Sequence, residues 1–137
     1  MKFFISGQIG DASKVRSMMD IVVDAGHEIT HDWTDVDVFL GGKQDKITNL
    51  KESGSRAGND IQGVVKSDVY VLNSDNANVG KGMYVELGAA LALRSVTGKP
   101  QIYIVGQLNH LPVFYLHPAV MRVPGIEDVL QSVSTTS

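Results

Sequence analysis

Short hydrophobic runs alternate with longer amphipathic segments along this chain. Apolar runs of about four to eight residues are typical of buried strands, whereas apolar residues three and four positions apart are typical of helices. Residues 2–6 predict a strand that ends at Ser6, and the turn Gly7-Gln8-Ile9-Gly10 follows it. Asp11 is a predicted N-cap for a helix that ends before Gly26. The apolar positions of that helix are Val15, Met18, Met19, Val22 and Val23.

The rest of the chain repeats this alternation. Strands are predicted at residues 27–30, 68–73, 101–105 and 119–123, and helices from about residue 55, over 81–97 and over 126–133. Residues 34–54 carry little apolar periodicity, which predicts a long connection of the kind that often forms a lid or a binding loop. We expect residues 1–133 to form one domain and residues 134–137 to form a frayed C-terminal tail.

Strands that alternate with helices are typical of an α/β fold, here a doubly wound parallel sheet of about five strands. Ligands of such sheets bind beyond the carboxyl ends of the strands, where the strand order reverses. Three segments are predicted to meet there, namely residues 6–10, Asp32-Trp33 and residues 73–82. The sequence therefore predicts a ligand site at this edge of the sheet.

Composition restricts the class of ligand. The chain has 137 residues, enough for one core, and its formal net charge of −3 disfavours a protein that binds a nucleic-acid polymer through its phosphates. No apolar stretch reaches the roughly 18 residues of a membrane span, and residues 2–6 predict a strand rather than a signal-peptide core. The chain has no cysteine and hence no thiolate zinc site. We expect a cytoplasmic protein, and no metal or organic cofactor is implied.

The most informative residue is Glu86, the only charged side chain between Lys81 and Arg94. An ionised carboxylate withdrawn from water costs several kcal/mol of free energy unless it is paired or hydrogen-bonded. Glu86 lies early in a predicted helix that leaves the ligand edge. We therefore interpret it as a residue of the site. The alternative is a carboxylate that is merely stabilised by the helix dipole.

Other candidates allow two interpretations each. Asp60 is an acid in a predicted helix and is either catalytic or solvent-exposed. Asp32-Trp33 could offer a carboxylate and a stacking surface to a base, or fill the rim of the core. The turn after the first strand could bind a phosphate or a sugar hydroxyl through its backbone N–H groups, or serve packing alone.

Residues 27–31, HEITH, match the H-E-x-x-H pattern of zinc metalloproteases. Two zinc-binding histidines four positions apart must share one face of a helix, about one turn apart. Gly26 and the β-branched Ile29 and Thr30 predict a strand instead, in which four residues span roughly 13 Å. We therefore expect no metal site here.

Two segments resemble the nucleoside 2-deoxyribosyltransferase superfamily, which includes deoxynucleoside 5′-monophosphate N-glycosidases. The first is Asn59-Asp60 followed by SDVYVL at residues 67–72, and the second is GKGMYVELGAA at residues 80–90. The resemblance extends from Lys2 to about Val105, with residues 3–9 at the family's first strand and loop.

The resemblance implies a flavodoxin-like fold, a homodimer or higher homo-oligomer, and a nucleoside or nucleotide as partner. It also implies a retaining reaction at the N-glycosidic bond of a (deoxy)nucleoside or its 5′-monophosphate. By the same resemblance, Glu86 is the nucleophile that forms a glycosyl-enzyme intermediate, and Asp60 supplies a proton to the departing base. Water as the second acceptor gives a hydrolase, and a second base gives a transferase.

The substrate-binding residues that this hypothesis predicts lie in three loops at the ligand edge. The first loop is expected to contact sugar or phosphate, the second the base, and the third the ribose. The predicted residues are Ser6, Gly7, Gln8, Ile9, Asp32, Trp33, Asn78, Gly80 and Gly82.

The chain also departs from the family. Phe4 stands where relatives carry a tyrosine that orients the nucleophile, and the stretch before Glu86 is longer. Asn109, His110 and His117 lie in the segment from which relatives donate residues to a neighbouring subunit. Two other hypotheses stay open: a TIR-like NAD glycohydrolase, and a nucleotide-binding sensor without turnover, which the phenylalanine favours.

Overall fold

A parallel sheet with helices on both faces forms the framework of the computed structural model, which describes residues 1–36 and 39–136. The described strands are β1 (Lys2–Ser6), β2 (Glu28–Ile29), β3 (Val69–Asn73), β4 (Gln101–Val105) and β5 (Val120–Val123). The described α-helices are α1 (Ala12–Asp24), α2 (Lys43–Thr48), α3 (Leu50–Val65), α4 (Lys81–Thr97) and α5 (Ile126–Thr136). All neighbouring strands are parallel, in the order β2-β1-β3-β4-β5. This is the flavodoxin-like order, and it confirms the predicted fold class.

The alternation of side chains along each strand builds two separate cores. Successive residues of a strand point to opposite faces of the sheet. In β1, Phe3 and Ile5 pack in the core that contains residues of α1 and α5. Phe4 packs in the other core, which contains residues of α3 and α4. Ser6, two residues after Phe4, therefore belongs to the α3–α4 side.

Several predicted boundaries are confirmed and others are wrong. β4 has the predicted limits, whereas β2 has only two residues. α5 ends at Thr136, beyond the predicted residue 133, and Ser137 of the predicted tail lies outside the described residues. None of the described helices is both long and apolar enough to cross a membrane.

The largest error concerns the predicted connection 34–54, because residues 43–48 and 50–54 are helical. Polar local interactions support these turns. Asp45 accepts a 3.1 Å hydrogen bond from the backbone N–H of Gly42 at the start of α2, and Arg56 pairs with Glu52 at 3.1 Å in α3. A search for apolar periodicity does not detect helices held in this way. Residues 37 and 38 of the connection lie outside the described residues.

The chain path places the ligand edge between β1 and β3. β1 lies between β2 and β3, so the chain moves to one side of β1 first and to the other side afterwards. The carboxyl ends of β1 and β3 are Ser6 and Asn73, and α4 begins after the loop that follows β3. α3 enters the same region from the preceding crossover. Parts of the predicted site thus come from β1, α3, β3 and α4.

Candidate active site

Glu86 lies on the buried face of α4, although its side chain is ionisable. The buried residues of this helix are Met83, Glu86, Leu87 and Ala90, which form one stripe because they are three and four positions apart. Only 8% of the Glu86 surface is exposed. Its Oε1 accepts a 2.6 Å hydrogen bond from the hydroxyl of Ser6. The helix pattern therefore directs this carboxyl group to the end of β1.

Asp60 reaches the same place from α3. It lies one turn before Gly63 and Val64, the buried residues of that helix. Asp60 and Glu86 line the same cavity, and 27% of the Asp60 side chain is exposed. The structure therefore brings together the two acids that the sequence predicts, with Asp60 the more open of the two.

The two carboxyl groups shift each other's pKa. Burial, together with the neighbouring Asp60, raises the pKa of Glu86 to about 8, although the hydrogen bond from Ser6 opposes this shift. Burial also raises the pKa of Asp60, against the lowering effects of His31, Glu86 and Arg56. Because two adjacent carboxyl groups resist ionising together, the pair holds one proton near neutral pH. The raised pKa favours the protonated form of the more buried Glu86 near neutral pH in the ligand-free protein.

A cleft with two adjoining parts opens beside this pair, with volumes of about 480 Å³ and about 390 Å³. Sites for small molecules are usually 300–1,000 Å³ in volume. Both parts are lined by Ile9, Trp33, Leu40, Gly41, Asp60 and Gly82, so they form one continuous cleft. The larger, here the His31 part, is also lined by His31, Asp32, Asp35, Glu52, Arg56 and Asn59. The smaller, the Glu86 part, is also lined by Gly7, Gln8, Lys46, Gly80, Lys81 and Glu86.

The first predicted loop divides into two roles. Gly7, Gln8 and Ile9 line the Glu86 part of the cleft, and their predicted contact with a substrate stays a prediction. Ser6 is fully buried and donates its hydroxyl hydrogen to Glu86. We therefore assign Ser6 to the orientation of that carboxyl group, rather than to a sugar or phosphate. Gly7 must be small, because a Cβ there would lie 2.8 Å from the Val15 side chain.

The second predicted loop holds Asp32 and Trp33 rigidly at the cleft. The indole Nε1 of Trp33 donates a 2.6 Å hydrogen bond to the carbonyl oxygen of Ile5. The ring also packs against both cores, so the structural and the functional interpretations of this tryptophan are compatible. Oδ1 of Asp32 accepts hydrogen bonds from the backbone N–H and the hydroxyl of Thr34, and Arg16 donates to Thr34 in turn.

The third predicted loop contributes glycines rather than its asparagine. Gly80 and Gly82 line the cleft, whereas Asn78 is exposed and does not line either described part. A Cβ at Gly80 would lie 3.0 Å from the Gln8 side chain, so the first and third loops meet closely. Asn109 and His110 each bond to the backbone carbonyl oxygen of Asn76, within their own chain.

Phe4 carries no hydroxyl group, and nearby Ser6 supplies the hydroxyl that bonds to Glu86. Its ring is fully buried and stacks on Tyr70 of β3, with centroids 6.1 Å apart. The Ser6 hydroxyl hydrogen-bonds to Glu86, the interaction that relatives are expected to make with a tyrosine. Burial, above all, raises the pKa of Tyr70, and nearby Glu86 adds to the shift while a hydrogen bond with Ser6 opposes it. Phe4 therefore leaves Glu86 with a hydroxyl donor.

The H-E-x-x-H segment forms a short strand and its flanks, as predicted. Nδ1 of His27 lies 3.0 Å from the amino nitrogen of Met1, whereas Nε2 of His31 lies 3.5 Å from Oδ1 of Asp60. The two histidines therefore have different partners. In residues 1–36 and 39–136, no group of three or more histidine, aspartate or glutamate side chains is placed to hold a metal ion.

Sequence reasoning missed several residues that line the cleft, above all His31, Lys46, Arg56 and Asn59. One signal could have found His31, because it follows β2 directly and the carboxyl ends of parallel strands form the ligand edge. Lys46 lies in the connection mistaken for a loop. Arg56 and Asn59 lie in the helix predicted from about residue 55, where they carry no apolar pattern that would mark them as part of the site.

No protein-family model matches the chain, and no curated protein matches it. Among solved structures, the chain is similar to a CMP N-glycosidase of Clostridium botulinum, BcmB, with 14% sequence identity and a TM-score of 0.56. The match covers 98% of this chain and 99% of that chain. At this level of identity the similarity shows the fold alone, and it agrees with the α/β fold that the sequence predicts.

Proposed function

We propose that this protein cleaves or transfers at the N-glycosidic bond of a (deoxy)nucleoside or its 5′-monophosphate, with Glu86 as nucleophile. The observation that carries this proposal is the pair of acids in the cleft, of which Glu86 is almost buried, oriented by Ser6 and adjacent to Asp60. The fold shared with a CMP N-glycosidase supports it, because that enzyme acts on an N-glycosidic bond of a nucleotide.

The first chemical step needs the pair in a different protonation state from that of the ligand-free protein. The proton on Glu86 is hydrogen-bonded to Asp60 and would move across to it when substrate binds. Positive charge that develops at C1′ favours an ionised Glu86. The carboxylate then forms a bond to C1′ while the C1′–N bond breaks. The bonding electrons remain on the base nitrogen, which takes the proton from Asp60.

The second step regenerates the enzyme with the same two side chains. Water attacks C1′, the bond to Glu86 breaks, and Asp60 takes a proton from the water. This gives the free sugar or sugar phosphate. If a second base attacks C1′ instead, the product is a new nucleoside, so hydrolysis and transfer need the same residues.

The lining of the cleft suggests how the substrate lies in it. We place the base in the His31 part, against Asp32 and Trp33. The sugar lies at Glu86, beside Gly7, Gln8, Ile9, Gly80 and Gly82. Lys46 and Lys81 line the Glu86 part, where a 5′-phosphate would extend, and this supports a monophosphate. We assign no sugar contact to Asn78, because it is exposed outside both parts.

We also propose that the protein acts as a homodimer or a larger homo-oligomer. Exposed apolar residues support self-association. They lie on α4 and on the short 3₁₀ helix 113–116, whose Tyr115 ring packs 6.2 Å from that of Tyr84 in α4. The residues are Val85, Val96, Val113, Phe114 and Leu116.

The decisive experiment is release of free base from a panel of nucleosides, their 5′-monophosphates and NAD, followed by chromatography. We expect base release from at least one nucleoside or monophosphate, and a loss of roughly three orders of magnitude in Glu86→Gln. Glu127→Gln, an exposed glutamate of α5, is the matched control and should keep full activity.

Two other outcomes would favour a rival function, and a third would exclude the role of Glu86. Release of nicotinamide from NAD alone would favour the NAD glycohydrolase. Tight nucleotide binding with no base released from any member would favour the sensor. A fully active Glu86→Gln variant would eliminate Glu86 as nucleophile.

A further inference from the structure

His31 lies close to the two acids, and neither step of the proposed reaction assigns it a role. It follows β2 at the ligand edge and lines the larger part of the cleft. The neighbouring histidine of the same segment, His27, instead contacts the N-terminal amino group and packs 5.0 Å from the ring of Phe3. Only His31 of this pair therefore faces the acids.

The contact between His31 and Asp60 joins two elements of the fold. Nε2 of His31 lies 3.5 Å from Oδ1 of Asp60, and the two side chains are 31% and 27% exposed. Both are open enough to meet a ligand and buried enough to affect each other. Gly63 allows this approach, because a Cβ there would lie 2.7 Å from Phe4 and 3.0 Å from the Cβ of His31. The close packing of α3 on β1 thus brings Asp60 to His31.

Other charged groups surround this contact. From α3, Arg56 and Glu52 line the His31 part and pair with each other at 3.1 Å. From the segment after β2, Asp32 and Asp35 line it as well. From α4, Glu86 shares a hydrogen bond with Asp60. These groups are mostly acidic, and the rise in the pKa of Asp60 is opposed by His31 and, to a smaller extent, by Arg56.

We infer that His31 is a positioning residue for Asp60, an inference that rests on the proposed function. Its imidazole holds Oδ1, so that Oδ2 is left to present the proton to the base. When the base nitrogen takes that proton, Asp60 becomes a carboxylate, and the imidazole of His31 beside Oδ1 stabilises it. In the second step, Asp60 takes a proton from the attacking water and the contact returns to its starting state. His31 thereby makes Asp60 a stronger acid than burial alone would.

The first test measures the pKa of the Asp60 carboxyl group directly and needs no substrate. The carboxyl carbon of Asp60 is titrated by ¹³C NMR in Glu86→Gln, which removes the coupled acid, with and without His31→Gln. Glutamine keeps an N–H donor but cannot carry charge. We expect the midpoint of Asp60 to rise by about one pH unit with His31→Gln, as for loss of a nearby opposite charge. His27→Gln on the same background is the matched control and should leave the midpoint unchanged. An unmoved midpoint in the His31 variant overturns the inference.

The second test uses base release and separates this inference from the proposed function. In His31→Gln with Glu86 intact, we expect the alkaline limb of kcat/KM to move to higher pH and the neutral rate to fall roughly tenfold, because Asp60 is a weaker acid. A pH profile identical to that of the wild type overturns the role of His31 while leaving Glu86 as nucleophile. A failure of the proposed nucleophile would give a different result, because Glu86→Gln would then release base as fast as the wild type.

Discussion

At the scale of single residues, the site depends on one proton shared by two acids. Burial raises the pKa of Glu86 and of Asp60, so neither carboxyl group ionises as it would in water. The raised pKa favours the protonated form of Glu86 in the ligand-free protein, although Glu86 is the residue that we propose as nucleophile. This state limits the energetic cost of burying a charge in α4. It also leaves the proton one hydrogen bond away from Asp60, the residue that we propose as the proton donor.

The shifted pKa of Glu86 predicts how stability depends on pH. Between the ordinary pKa of 4.5 and about 8, the folded protein holds a proton at Glu86 that the unfolded chain has lost. The free energy of unfolding therefore falls as pH rises through this window, by up to about 1.4 kcal/mol per pH unit. Glu86→Gln stays neutral and lacks this contribution. Urea unfolding should show the variant gaining stability relative to the wild type as pH rises towards about 8.

The comparison with Glu127→Gln isolates the effect of burial. That control removes an exposed carboxylate of α5, and its unfolding curves should parallel those of the wild type at every pH. If Glu86→Gln also parallels the wild type, Glu86 is ionised in the folded protein and the shared proton is excluded.

Ser6 supplies the next prediction, because it is the described donor to Glu86 from the sheet. Ser6→Ala removes a 2.6 Å hydrogen bond that both orients the carboxyl group and opposes the rise in its pKa. We expect kcat for base release to fall roughly a hundredfold, as for other lost donors in preorganised sites. Ser67→Ala is the matched control, since Ser67 is also fully buried but donates to the carbonyl oxygen of Val64. Equal kcat values in the two variants would remove Ser6 from the site.

At the scale of elements, the sequence predicts those strands and helices whose apolar residues follow a regular pattern. Apolar runs locate β3 and β4, and the spacing in α4 accounts for the buried stripe that contains Glu86. The contact between Ser6 and Glu86 joins residues 80 positions apart. The rule for ligand sites in parallel sheets and the resemblance both predicted that their elements meet, but neither identified the serine as the donor. The start of α3 was missed because its polar residues form an ion pair instead of an apolar stripe.

The packing of α3 on β1 can be tested with two glycines of that helix. A Cβ at Gly63 would lie 2.7 Å from Phe4 and 3.0 Å from His31, whereas a Cβ at Gly58 would meet nothing within 4 Å. We expect Gly63→Ala to lower the free energy of unfolding by about 1–3 kcal/mol through overpacking, and to slow base release by moving Asp60. Gly58→Ala should raise stability by roughly 0.5–1 kcal/mol, because alanine is the better helix former. Thermal or urea unfolding measures both, and equal effects would contradict the close approach.

At the scale of the whole molecule, α4 is apolar on two sides. Its buried stripe faces the sheet, while Val85 and Val96 are 64% and 79% exposed on the opposite side. A helix that is hydrophobic all around is usually covered on all sides. The neighbouring 3₁₀ helix adds exposed Val113 and Phe114 to the same region. An apolar surface of this kind is typical of an interface between subunits.

Self-association through this surface gives the last prediction. We expect the wild type to sediment as a dimer or larger oligomer in analytical ultracentrifugation, and the double variant Val85→Glu with Phe114→Glu to sediment as a monomer, because charge is costly inside an apolar interface. The matched control is Val23→Glu, which changes an exposed valine of α1, a helix on the other face of the sheet. This control should keep the wild-type assembly. Circular dichroism would show that all variants are folded. A wild type that is monomeric at high concentration, or a double variant with unchanged sedimentation, would exclude α4 as the interface.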